Sequence, residues 1–264
     1  MMLALIAGGG GLPHRVASAQ ADRPLVCGYE GVAVEGVEVD QTFRLETLGS
    51  LIKSLQDQGV TQVCLCGAIA RPSFDPSKLD ALTMPLVPAF QKALGAGDDG
   101  ALRVLIDIFE TSGFTVRAAH ELAPDLLASP GVLSTKAPDT QMTQDAARAA
   151  QVVATLAPMD IGQCCVVGGG QVYGIETIGG TDHLLATLPD RVQSASAILF
   201  KGPKPDQSRL VDMPTIGPAT LEAAHKAGLA GIVIVAGNVI VLEPERCKTL
   251  ADDLGLVLWS RATA

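Results

Sequence analysis

LALIAGGGGLPHRVASAQADRPLVCGYE, residues 3–30, is the stretch whose reading decides the fold. Residues 3–7 are an apolar run of strand length, residues 8–11 are all glycine, "LPHRVASAQA" can form a short helix, and "PLVCGYE" reads as a second strand. A strand, a glycine-rich turn, a helix and another strand make the opening unit of a parallel sheet. The pattern continues outward. "TLGSLIKSLQDQG" has apolar residues at 48, 51, 52 and 55, the helical spacing, and "VTQVCLCGA" follows as a buried strand. "GDDGALRVLIDIFETSG" carries acids at its start and glycine at its end, as a helix should, and "FTVRAAHEL" is a strand candidate. This alternation predicts a Rossmann-like α/β domain.

The proline-bearing stretch "APDLLASPGVLSTKAPDTQ" places a linker around residues 125–138 and divides the chain into domains 1–130 and 131–264. The second half restarts with a helix, "TQDAARAAQVVATLA". Strands "QCCVVGG" and "QVYGIETI" follow, joined by glycines as in a hairpin. "TDHLLATLPDRVQ" reads as a helix with Thr181 or Asp182 at its start, and "SAILFKGP" as a strand. Helix "IGPATLEAAHKAG", strands "AGIVIVAG" and "NVIVLE", helix "ERCKTLADDLG" and strand "LVLWS" complete a mixed α/β domain.

Composition narrows the function. Of 264 residues, 48% are hydrophobic and 3% aromatic, so the interior is built from Ala, Val, Leu and Ile. The net charge is −9, with no run of Lys and Arg able to track a phosphate backbone, which argues against a nucleic-acid partner. No apolar stretch is long enough for a membrane span. The N-terminus lacks the basic region of a signal peptide, so a cytoplasmic location is expected. The six cysteines lie mostly in apolar runs and read as buried thiols in a reducing compartment. Cys64 and Cys66 share one face of a strand, whereas Cys164 and Cys165 face opposite ways; neither pair has zinc-finger spacing.

The glycine loop invites a dinucleotide reading, and with it a nicotinamide-dependent oxidoreductase. G-x-G-x-x-G counted from Gly8 meets Pro13 at the third glycine, and counted from Gly9 it meets His14. Glu30 does stand where a ribose-binding acid belongs. A more general reading is that glycines 8–11 expose backbone N–H groups to phosphate, or simply make a tight turn. Asp98 and Asp99 stand at a helix start, where capping competes with metal binding; Thr181 and Asp182, after two glycines, either cap or meet a ligand. The four histidines show no metal-ligand spacing, and the chain has neither a G-x-S-x-G elbow nor a Walker lysine.

"KGPKPDQSRLVDMPTIG", residues 201–217, concentrates complementary groups. Lys201 and Lys204 flank a proline, and Pro203 and Pro205 stiffen the backbone, so two amines leave a strand end with limited freedom and suit phosphate oxygens. Asp212 precedes Pro214 and Thr215, which can start a helix, so its carboxylate is expected beside free N–H donors. A carboxylate next to phosphate-binding cations can coordinate a divalent ion or direct a water. The competing reading is a solvated loop.

That segment, with "LIAGGGGLP", "GAIARPSF", "GDDGALRVLIDIFETSGF", "MDIGQCCVV", "GTDHLL" and "AGLAGIVIVAG", resembles the metal-dependent UDP-2,3-diacylglucosamine diphosphatases of lipid A biosynthesis, the LpxI type. The likeness runs in order over nearly the whole chain. It implies a two-domain α/β enzyme with a ligand cleft between the domains. Such an enzyme hydrolyses UDP-2,3-diacylglucosamine with Mg²⁺, or another divalent ion such as Mn²⁺, to UMP and lipid X, water attacking the α-phosphorus. The family's essential aspartate falls on Asp212, which is expected to be the catalytic residue, either holding the metal or orienting the attacking water. Gly10, Gly11, Leu12, Thr181, Asp182, Lys201, Lys204 and Thr215 become candidate substrate contacts. Where the family is expected to carry asparagine after "G" in "GAIARP", this sequence has Ala68. Self-association and transient contact with the inner-membrane surface are further expectations. A nucleotide-sugar-binding protein without catalysis is the remaining alternative.

Overall fold

The computed structural model describes residues 1–69, 74–94, 98–204, 208–211 and 213–262. It divides into two compact units, Met1–Pro124 with Ser208–Asp212, and Asp125–Gln207 with Met213–Ala264. The first unit runs β1 (Met2–Ala7), α1 (Leu12–Ser18), β2 (Leu25–Tyr29), β3 (Gln41–Phe43), α2 (Leu48–Asp57), β4 (Val60–Cys66), α3 (Val87–Leu94), α4 (Asp98–Thr111), β5 (Thr115–Val116) and α5 (Ala119–Leu122). Its strands form one parallel sheet in the order β3-β2-β1-β4-β5, with Leu5 of β1 opposite Val26 on one side and Cys64 on the other. The chain starts at β1, travels outward through β2 and β3, then returns to lay β4 on the opposite side of β1. That reversal makes the carboxyl ends of β1 and β4 a topological switch point, where α/β sheets receive ligands. The α/β expectation for this half is met.

Local signals decide the details. The apolar stripe of α2 buries Leu48, Leu51, Ile52 and Leu55 against the sheet. Edge strand β3 escapes a reading by hydrophobic periodicity because it is three residues long. "FTVRAAHEL" is a strand only at Thr115–Val116; Glu121 then accepts the amide proton of Ala118 at 3.2 Å, and a short helix follows. Leu210 and Val211, far along the chain, pack on the core of this first unit.

The second unit runs β6 (Gly131–Val132), α6 (Thr140–Leu156), β7 (Cys164–Gly168), β8 (Gln171–Ile175), α7 (Gly180–Ala186), β9 (Ile198–Lys201), β10 (Thr215–Ile216), α8 (Pro218–Lys226), β11 (Gly231–Val235), β12 (Ile240–Val241), α9 (Pro244–Asp253) and β13 (Val257–Arg261). A mixed sheet has the order β6-β13-β11-β9-β7-β8, with β9, β11 and β13 parallel and β6, β7 and β8 antiparallel to their neighbours. Alternation sorts its side chains: Cys164, Val166, Leu199, Ile232 and Ile234 face α7, α8 and α9, while Cys165, Val167, Ile198, Phe200 and Val233 face α6. The predicted opposition of Cys164 and Cys165 is thus realised across the sheet, and all six cysteines are buried and unpaired. The β7–β8 hairpin turns at Gly169 and Gly170, both left-handed at φ 56° and 74°, as a tight hairpin requires. Asp145 of α6 accepts both turn amides, at 3.0 and 2.7 Å.

Two local expectations fail here. Pro214 and Thr215 do not begin a helix: Thr215–Ile216 is strand β10, paired with Ile240 and Val241, and helix α8 begins at Pro218 after Gly217. The carbonyls of Pro214 and Ile216 serve the amides of Ile240 and Leu242, so this backbone is committed to sheet pairing. Nor does Thr181 or Asp182 cap α7: the helix begins at Gly180, so both lie within its first turn, and the cap position falls on Gly179, which has no side chain to offer. Among the described residues, no helix is long and apolar enough to cross a membrane.

Candidate active site

In the second unit, polar side chains gather where β9 ends. Lys201 is the last residue of β9 and pairs across the sheet with Cys164, the first residue of β7. Glu176 follows β8, and its amide bonds to the carbonyl of Cys164 at 2.9 Å. Gly162 lets these chains meet: it adopts φ 53°, and a Cβ there would stand 2.3 Å from the Glu176 carbonyl oxygen. Thr181 arrives on the first turn of α7.

These placements assemble a directed chain of hydrogen bonds. Lys201 Nζ donates to Thr181 Oγ1 at 2.7 Å, Thr181 Oγ1 donates to Glu176 Oε1 at 2.7 Å, and the Gln163 amide donates to Glu176 Oε2 at 2.7 Å. Lys201 and Glu176 are each only 9% exposed. Cys164 Sγ lies 3.7 Å from Thr181 Oγ1. Burial, with the Glu176 charge adding and Lys201 opposing, pushes the Cys164 thiol up to about 12, so it stays protonated.

Lys204 is held separately, by an ion pair with Asp160, and its side chain is 15% exposed. Asp182 is exposed on α7. Thr215 is half-buried and bonds to the Met213 carbonyl at 3.2 Å. The structure therefore brings Lys201 and Thr181 together, and no described hydrogen bond joins Thr215 to them. Asp212, together with Pro205 and Asp206, lies outside the described residues; Arg209 is exposed. Sequence reasoning misses Glu176, Gln163 and Asp160. The signal for Glu176 is an acid closing an otherwise uncharged strand just before "TIGGT".

In the first unit, the glycine turn does sit at the switch point, but half of it is committed. Gly8 N bonds to Cys66 O and Gly9 N to Ala68 O, both at 2.8 Å, and Ala68 N returns a bond to Gly9 O at 2.9 Å. The expectation that all four glycines offer amides outward is corrected: Gly8 and Gly9 spend theirs on the end of β4. Gly10 has φ 84°, and Gly11 precedes α1; a Cβ on either would meet nothing within 4 Å. Leu12 is the first residue of α1. The Glu30 carboxylate is paired with Arg44 at 3.1 Å.

Among the described residues, no three His, Cys, Asp or Glu side chains are grouped to hold a metal ion. A site of that kind is not what Mg²⁺ ordinarily uses, since one or two carboxylates with substrate phosphates and water suffice.

A parallel sheet with a glycine turn at its switch point, followed by a mixed sheet whose strand end presents a buried lysine, defines a two-unit α/β protein whose first unit is Rossmann-like. The chain belongs to the LpxI family: the LpxI N-terminal domain matches residues 2–126 and the LpxI C-terminal domain residues 129–259. It is 36% identical over 276 aligned positions to the UDP-2,3-diacylglucosamine pyrophosphatase LpxI of Caulobacter vibrioides, with 96% of this chain and 95% of that protein covered.

Proposed function

We propose that this chain hydrolyses the pyrophosphate bond of UDP-2,3-diacylglucosamine in lipid A biosynthesis, releasing UMP and 2,3-diacylglucosamine 1-phosphate, with water attacking the α-phosphorus. The observation that carries the reading is identity sustained over almost the full length of both proteins to a relative named for that activity. The chemistry of the residues supports it. Cleaving a phosphoanhydride builds negative charge on bridging and non-bridging oxygens, which fixed cations stabilise. Lys201, with its ammonium held by Thr181, and Lys204, held by Asp160, are such cations. Gly10 and Gly11, with open space at their Cα atoms, allow close approach of a ligand backbone or phosphate near Leu12. Asp182 and Thr215 are proposed as further contacts.

Asp212 is proposed to hold a divalent ion, Mg²⁺ first and Mn²⁺ as the alternative, or to orient the attacking water. When bound, the ion supplies positive charge to the phosphate oxygens. A substrate with two acyl chains, and a chain without a spanning helix among its described residues, suit an enzyme that meets the inner-membrane surface transiently. Self-association is proposed as well.

The test is incubation of the purified chain with UDP-2,3-diacylglucosamine, with and without Mg²⁺, reading UMP. Metal-dependent UMP release that Asp212→Asn abolishes is expected. A folded Asp212→Asn protein turning over at the wild-type rate would remove Asp212 from the chemistry, and no UMP from the wild type would overturn the assignment.

A further inference from the structure

We infer that Glu176 is a positioning residue for Lys201, acting through the hydroxyl of Thr181. The inference rests on the reading of Lys201 as a phosphate contact. Proton inventory sets the direction of the chain. An ammonium can only donate, so Thr181 Oγ1 must accept from Lys201 Nζ, and the single hydroxyl proton is left for Glu176 Oε1. The other carboxylate oxygen accepts from the Gln163 amide at 2.7 Å. Thr181 is thus oriented at both ends, and its oxygen lone pair is aimed at the ammonium.

Electrostatics gives the arrangement its use. Lys201 is buried, and a cation so placed needs a compensating charge. Glu176, equally buried, supplies it one hydroxyl away. The protonated Cys164 thiol beside Thr181 contributes no charge. Interposing a hydroxyl keeps the carboxylate from taking the ammonium in a direct ion pair, and the bond to Thr181 uses one of the three ammonium donors. Lys201 is therefore fixed in direction and still able to donate to an anionic oxygen of the substrate.

A purely structural role is the rival, because Glu176 also ties the Gln163 backbone. Thr181 separates the two, since its hydroxyl does not touch Gln163. Two measurements on the full chain decide. In the first, kcat and KM for UDP-2,3-diacylglucosamine are compared for wild type, Thr181→Val, Thr181→Ser and Glu176→Gln. Thr181→Val and Glu176→Gln are expected to lower kcat by about 10- to 100-fold, with KM moving less, and Thr181→Ser to regain most of what Thr181→Val loses. In the second, which needs no substrate, acetic anhydride labelling of Lys201 is followed by peptide mass spectrometry. Labelling is expected to rise several-fold in Thr181→Val and Glu176→Gln, and less in Thr181→Ser. Equal behaviour of Thr181→Val and Thr181→Ser in the labelling experiment overturns the inference. Should Glu176→Gln fail to fold, the Thr181 pair still decides. Absence of UMP release by the wild type would refute the proposed activity instead, and labelling alone would then decide whether Glu176 positions Lys201.

Discussion

Gly9 and Ala68 exchange two backbone hydrogen bonds, 2.8 and 2.9 Å long, so the turns after β1 and β4 are closed upon each other at the switch point of the first sheet. The glycines around this clasp differ in kind. A Cβ at Gly8 would stand 2.6 Å from the Ala68 carbonyl oxygen, whereas a Cβ at Gly11, which has φ −79°, would meet nothing within 4 Å. Gly8→Ala should destabilise by about 1–3 kcal/mol through overpacking, seen as a lowered denaturant midpoint. Gly11→Ala should change the unfolding free energy by no more than about 0.5 kcal/mol and raise KM instead.

The hairpin of the second unit depends on one buried carboxylate. Asp145 is 1% exposed and serves the amides of Gly169 and Gly170 as well as the Gln141 side chain. Asp145→Ala strands both turn amides and should cost about 2–3 kcal/mol in urea unfolding. Asp145→Asn, with one acceptor oxygen left, should cost less.

Glu46 makes the first unit sensitive to acid. It is fully buried, accepts the Asp75 amide at 2.6 Å and pairs with Arg44 at 3.3 Å. Burial pushes its carboxyl up, but the Asp75 amide, its own amide and the Arg44 guanidinium outweigh that and hold it below the usual 4.5. With the folded value depressed, the unfolded chain binds more protons in the window between the two values. The stability from Glu46 is full above 4.5 and is lost as pH falls through the folded value. Melting temperature should therefore drop on acidification below about pH 4.5, and Glu46→Gln should flatten that part of the profile.

The thiols should be inert in the folded state. Burial pushes Cys27 up to about 11 and Cys164, Cys165 and Cys247 up to about 12. At pH 8, iodoacetamide should label these four slowly in native protein, and all six after denaturation, as mass spectrometry would read. Rapid native labelling of Cys164 would mean that the Lys201–Thr181–Glu176 cluster opens to solvent.

Much of the fold was legible because its signals are local. Helix α2 announces itself by the spacing of Leu48, Leu51, Ile52 and Leu55, and the β7–β8 hairpin by Gly169 and Gly170 between two apolar strands. What misled was also local: Pro214 next to Thr215 has the look of a helix start, yet pairing of Thr215 with Ile240 makes it a strand. Propensity yields when a neighbouring strand claims the backbone. Lys201 and Thr181 were both legible as candidates from their residue types and the family motif, but not as partners.

By itself the sequence determined the alternation of strands and helices, the buried thiols and the family. These follow from periodicity, turn chemistry and composition, all of which act between near neighbours. Only the tertiary structure decided that Gly9 clasps Ala68, that Leu210 and Val211 pack on the first unit's core, and that Glu176 stands behind Thr181 and Lys201. Those relationships join residues distant in the chain, and their partners are selected by packing and by the need to satisfy buried polar groups, which no local pattern encodes.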